Sequence, residues 1–194
     1  ELEEIKILLS KIDISNRETE LIYGIINLEL KDYEKAVKIF KSLIINNKNL
    51  SESYYNLGIL YQKINKFTLS INFFEKAIIE NNQNYQFFNS IGISYQRIFK
   101  FDKAELAYKN AIKLNNKSDK AYSNLGLLKQ KSGLFEEAIY YYNVALKLKP
   151  NDTGVLFNKS LCFLENGNFK EGINLYKWRL GGMYKDNSLI KLEN

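Results

Sequence analysis

The sequence predicts an all-α array of repeated helix–turn–helix units, and three observations predict it. Gly24, Gly58, Gly92 and Gly126 stand at equal steps of 34 residues, with Ser160, still small, where a fifth is due. A fixed period of this length marks one supersecondary unit repeated along the chain. Other series keep the same register. Ala36, Ser70, Ala104, Ala138 and Gly172 are small, while Phe40, Phe74, Tyr108, Tyr142 and Tyr176 are aromatic, as are Tyr33, Phe67, Phe101, Phe135 and Phe169. Within each unit the apolar residues recur at helical spacing in two runs separated by a short polar break.

Taken in order, residues 1–14 predict an amphipathic helix with Leu2, Ile5, Leu8, Leu9 and Ile12 on one stripe. It serves as an N-terminal cap over 1–16. Five units follow, at 17–50, 51–84, 85–118, 119–152 and 153–186. In the second, Tyr54, Leu57, Gly58 and Tyr61 make one helical run, and Ile71, Phe74, Ala77 and Ile78 the next. Asn65-Lys66-Phe67 is the tight turn between them. The same template places helices near 18–31 and 34–47, 52–64 and 68–81, 86–98 and 102–115, 120–132 and 136–149, and 154–166 and 170–180. A glycine inside a helix costs about 1 kcal/mol relative to alanine, so the recurring small residue implies a compensating close approach of the partner helix. In the last unit Arg179 replaces the small or aliphatic residue of earlier units (Leu43, Ala77, Ala111, Ala145), and Gly181-Gly182 ends the helix. The tail over 181–194 holds Leu189, Ile190 and Leu192, enough for a short cap.

Asn56-Leu57-Gly58-Ile59-Leu60-Tyr61, Asn124-Leu125-Gly126, and Ala138 with Tyr142, Ala145 and Pro150 resemble the tetratricopeptide repeat, TPR. The resemblance covers residues 17–180. Tyr or Phe replaces the usual Trp, and only the fourth unit keeps the closing Pro. The family implies a right-handed superhelical solenoid whose first helices line a concave surface. The ending Tyr176-Lys177-Trp178-Arg179 also resembles the last repeat of bacterial TPR arrays that lead into a glycosyltransferase domain. That likeness implies an alternative role, the targeting region of an enzyme whose catalytic part lies outside this sequence.

Composition excludes several chemistries. With no His and one Cys in 194 residues, a Ser/His/Asp or Cys/His set cannot be built, and a transition-metal site is not expected. No Gly-rich phosphate loop is present, no carboxylate pair is marked out for acid–base work, and no cofactor is expected. The chain reads as non-catalytic. No apolar run approaches the length of a membrane span, there is no signal-like start, and one lone cysteine fits the reducing cytoplasm. The net charge of +6 invites a nucleic-acid reading, but basic residues are interspersed with acids and the aromatics occupy core registers, which argues against it.

The resemblance carries the family's groove positions onto three rows of this chain. Asn56, Ser90, Asn124 and Asn158 are polar, Gln62, Gln96 and Gln130 carry amides, and Lys63, Arg97 and Lys131 are basic. An aliphatic strip of Ile59, Ile93 and Leu127 runs among them, with Tyr55, Asn89 and Ser123 alongside. Amides spaced by one repeat can pair with an extended peptide backbone, and the cations favour acidic or C-terminal carboxylate groups. The carboxylate clamp of chaperone-binding relatives is not reproduced, since Ile25, Ile59 and Ile93 stand where its Asn would be. The expected partner is a protein or peptide. Self-assembly through convex aromatics or an uncapped end is a further alternative.

Overall fold

The computed structural model describes residues 17–176, and every regular element among them is an α-helix. These are α1 (Arg17–Glu29), α2 (Tyr33–Ile45), α3 (Leu50–Lys63), α4 (Phe67–Glu80) and α5 (Tyr85–Arg97). Then come α6 (Phe101–Leu114), α7 (Asp119–Lys131), α8 (Phe135–Leu148), α9 (Thr153–Glu165) and α10 (Phe169–Tyr176). The expected hairpin architecture is present. The N-terminal helix, Trp178, Arg179 and the tail lie outside the described residues. The chain divides into two compact units at Ala107–Tyr108, inside α6. The first contains α1–α5 and the second α7–α10.

The turn inside each hairpin is the same motif five times. Lys31, Asn65, Phe99, Gly133 and Gly167, 34 residues apart, all have positive φ, at 62°, 59°, 60°, 74° and 78°. In the second repeat Lys66 N–H donates back to Tyr61 O (2.8 Å) and Asn65 N–H to Gln62 O (3.0 Å). This pair of bonds closes a helix through one left-handed residue. The next helix then opens on the aromatic series, since Tyr33, Phe67, Phe101, Phe135 and Phe169 are the first residues of α2, α4, α6, α8 and α10. Between hairpins, Asn84, Ser118 and Asp152 cap α5, α7 and α9 by accepting from the N–H of Gln86, Ala121 and Val155.

The small series is explained by the rings it meets. A Cβ at Gly24 would fall 2.6 Å from Phe40 Cε1, and one at Gly126 2.9 Å from Tyr142 Cδ1; at Gly58 it would run into the Phe74 ring. The close approach is therefore that of an aromatic side chain laid on the first helix, rather than of the partner helix backbone alone. Phe40, Phe74 and Tyr142 are fully buried in return, each contributing on the order of 2–3 kcal/mol of burial. Around them Leu28, Leu43, Leu57 and Leu60 fill the core between the first and second hairpins, and Ala138, Ala145, Val155 and Cys162 that between the fourth and fifth.

Candidate functional site

In the first unit the residues expected to line a groove come from α3 and α5, which are joined by direct side-chain contacts. The Tyr55 ring stacks on Phe87 with centroids 4.7 Å apart, and its hydroxyl lies 3.2 Å from Ser90 Oγ. Gln62 Nε2 donates to Ser90 O (3.1 Å) and to Ser94 Oγ (2.8 Å). Ser94 Oγ also meets Ser70 Oγ at 3.0 Å. One amide thus ties three helices together. Asn56 Nδ2 bonds within its own helix, to Glu52 O at 2.8 Å.

The second unit uses different chemistry at the same register. Gln130, only 8% exposed, donates from Nε2 to Glu165 Oε2 (2.8 Å) and accepts the Tyr142 hydroxyl proton on Oε1 (2.7 Å). Burial, reinforced by Cys162 and Glu165, raises the Tyr142 pKa, so this phenol stays a donor at any physiological pH. Gln96 is buried and engaged as well. The amide row was expected to face a peptide; at Gln62 and Gln130 its amides instead bridge neighbouring repeats. A buried amide left unpaired costs about 1–3 kcal/mol, so these bonds are not given up cheaply to a ligand.

The basic row stays near solvent. Lys63 is exposed and pairs with Glu29, one period earlier, at 3.2 Å. Arg97 is exposed, its guanidinium 4.8 Å from the Phe67 ring centroid, and Lys131 is exposed at the end of α7. Ile59, Ile93 and Leu127 are half-buried, as are Asn89, Ser123, Asn124 and Asn158, while Ser90 is buried. On another face Tyr95 donates to Glu75 Oε1 at 2.9 Å, and burial together with that carboxylate pushes its pKa up to about 12.

Several residues that matter here escaped the sequence reading. Ser94 stands where α3 and α7 have Leu60 and Leu128, and Ser70 where other repeats carry Ala or Gly. Two hydroxyls in apolar registers were the available sign that they meet. Glu29 and Glu165 share the register of the basic row and are drawn to its neighbours, Lys63 and Gln130. Among the described residues no group of acidic, His or Cys side chains could hold a metal, and no helix is long and apolar enough to cross a membrane.

The chain is similar to known proteins mainly through its repeats. Tetratricopeptide-repeat models match residues 18–49, 51–84 and 119–152, which together are just over half of the sequence. No curated protein sequence matches it significantly. Among solved structures, MamA shares 23% identity, with a TM-score of 0.71 over 81% of this chain and 92% of that one. PilF of Pseudomonas aeruginosa superposes with a TM-score of 0.76 at 17% identity, over 88% of this chain and 78% of that one. YrrB, described as a TPR protein with an unusual peptide-binding site, gives 0.65 at 16% identity over 86% of each chain. At these identities the structures speak for fold alone. With the 34-residue register, the five identical hairpin turns and the glycine–aromatic contacts, the matching models show that this chain belongs to the tetratricopeptide-repeat family.

Proposed function

We propose that the chain is a non-catalytic interaction module that holds an extended peptide or protein segment against the first helices of its repeats. The observation that carries this reading is the recurrence, on α3 and α5, of a half-buried aliphatic residue four positions before an exposed cation: Ile59 with Lys63, and Ile93 with Arg97. Leu127 and Lys131 repeat it on α7. Gln62 ties α3 to α5 within the first unit, and Gln130 ties α7 to α9 within the second. Contact falls to Tyr55, Asn56, Ile59, Lys63, Asn89, Ile93 and Arg97 in the first unit, and to Ser123, Asn124, Leu127, Lys131 and Asn158 in the second. The likeness to a peptide-binding TPR protein supports the same class of partner.

Acidic partners are favoured. The Lys63–Glu29 pair is solvent-exposed and worth no more than about 1 kcal/mol, so a partner carboxylate can displace Glu29 at little cost. The test uses a peptide array probed with the full chain, followed by titration of a bound acidic peptide at low and high salt. Replacing Lys63, Arg97 and Lys131 by Ala should weaken binding about tenfold and flatten its salt dependence, whereas Glu29→Gln should strengthen it. Unchanged affinity in the triple variant would remove this face from consideration.

A further inference from the structure

The second unit contains an open depression of about 420 Å³ between α8 and α9. Tyr140, Asn143, Val144, Leu146 and Lys147 of α8 line it, together with Lys159 of α9. Lys159 is out of register with its surroundings. The 34-residue period places Leu57, Ile91 and Leu125 at this position of α3, α5 and α7, and all three are buried. In α9 the same place holds an ammonium group. Its Nζ lies 5.5 Å from the centroid of the Phe163 ring, one turn on, and it forms no ion pair with a described residue. Burial alone lowers its pKa.

A cation half-withdrawn from water without a counter-ion is unfavourable, and a leucine would remove the cost. Such a conflict between one residue and the register of its fold is where a site is to be sought. The second cation, Lys147, faces the same space, and the wall beside it is apolar at Val144 and Leu146. The volume lies within the range of small-ligand pockets, roughly 300–1,000 Å³.

We infer that this depression binds a carboxylate carried next to an apolar group, with Lys159 and Lys147 supplying the charge and Val144 and Leu146 the apolar contact. Asn143 offers the hydrogen bonds that orient the ligand. None of the residues that line the depression belongs to the proposed peptide-contact set, although Lys159 follows Asn158, which does. Two sources have this chemistry: the C-terminal residue of a polypeptide, and an internal acidic side chain beside an apolar one.

The experiment is an amide-resolved NMR titration of the full ¹⁵N-labelled chain. N-acetyl-leucine represents the terminal carboxylate, N-acetyl-leucyl-glutamic acid α-amide the internal one, and N-acetyl-leucinamide is the neutral control. Saturable shifts on α8 and α9 with the carboxylates, and about tenfold weaker binding of the neutral amide, are expected. The tighter of the two carboxylate probes identifies the source. Lys159→Leu places here the leucine of the second and fourth repeats, so it should fold with a higher melting temperature while weakening the carboxylate about tenfold. Lys147→Ala should weaken it less, and Lys63→Ala with Arg97→Ala should leave the titration unchanged, which separates this site from the groove. Equal binding of charged and neutral probes, phosphate binding as tightly as the carboxylates, or a Lys159→Leu variant that titrates like the parent would each overturn the assignment.

Discussion

The glycines of the first helices are held in place by rings. An added methyl at Gly58 would occupy space already taken by Phe74, which is itself fully buried. Overpacking of this kind costs about 1–3 kcal/mol, more than the roughly 1 kcal/mol that alanine gains in helix propensity. Gly58→Ala should therefore lower stability by about 1–2 kcal/mol in equilibrium urea unfolding, and an unchanged midpoint would show that the ring yields. Phe99 presents the opposite problem. It takes the left-handed turn position at φ 60° and is 81% exposed, where the fourth and fifth repeats use glycine. Only two of the five turn residues are glycine, so this turn series could not be recognised from residue type; it emerges from the dihedral angles. The glycine–aromatic pairing, by contrast, was visible in the sequence as two series sixteen residues apart, although its physical form was not.

At the scale of elements, helix starts could be read from sequence because an aromatic residue opens every second helix. The caps of the first helices were harder to see. Asn84, Ser118 and Asp152 stand two residues after the place of the family's closing Pro, and nothing but their side-chain chemistry marks them. The fate of the amides could not be read at all: a Gln at one-repeat spacing looks the same whether it points outward or reaches into the next hairpin. Asp152 permits a direct test. It accepts from Val155 N–H at 3.1 Å and pairs with Lys149 at 2.8 Å. The Lys149 hydrogen bond is the largest effect; burial opposes it, and the backbone N–H of Val155, the Lys149 charge and the backbone N–H of Gly154 follow, so that the carboxyl is held below the usual carboxylate range. A depressed folded-state pKa means that its stabilisation is complete above the unfolded value, about 3.9, and disappears as pH falls through the lower folded value. Asp152→Ala should cost about 1 kcal/mol at neutral pH. That difference from the parent should shrink progressively in urea titrations performed below about pH 3.9; a pH-independent difference would mean that the carboxylate charge is irrelevant to the cap.

Across the whole molecule, each compact unit has its own buried cluster, and the sequence's one cysteine belongs to the second. Cys162 is fully buried, and its thiol is pushed up to about 11, first by burial and then by Glu165 and Glu136. At pH 8 this leaves about a hundredfold less thiolate than an ordinary cysteine would have. Labelling by a disulfide reagent should thus be slow in the native protein and accelerate with urea as the second unit opens. Reaction as fast as that of a free thiol would show that the α8–α9 core is open in the native state. Because no cysteine lies elsewhere in the chain, the probe reads one unit without interference from the other.

The polar bridges give the repeats an order that their common period hides. Ser70 faces Ser94 beneath Gln62, whereas Ala138 has only Cys162 at the corresponding place beneath Gln130, which turns to Glu165 and Tyr142. Exchanging the second and fourth repeats would preserve every glycine, every opening aromatic and every left-handed turn. It would nonetheless set a methyl group opposite the Ser94 hydroxyl and deny Glu165 its phenol-backed amide. Repeats that share one period are in this way addressed to particular neighbours, so that exchanging them within the gene would yield a chain of unchanged register whose joints no longer recognise one another.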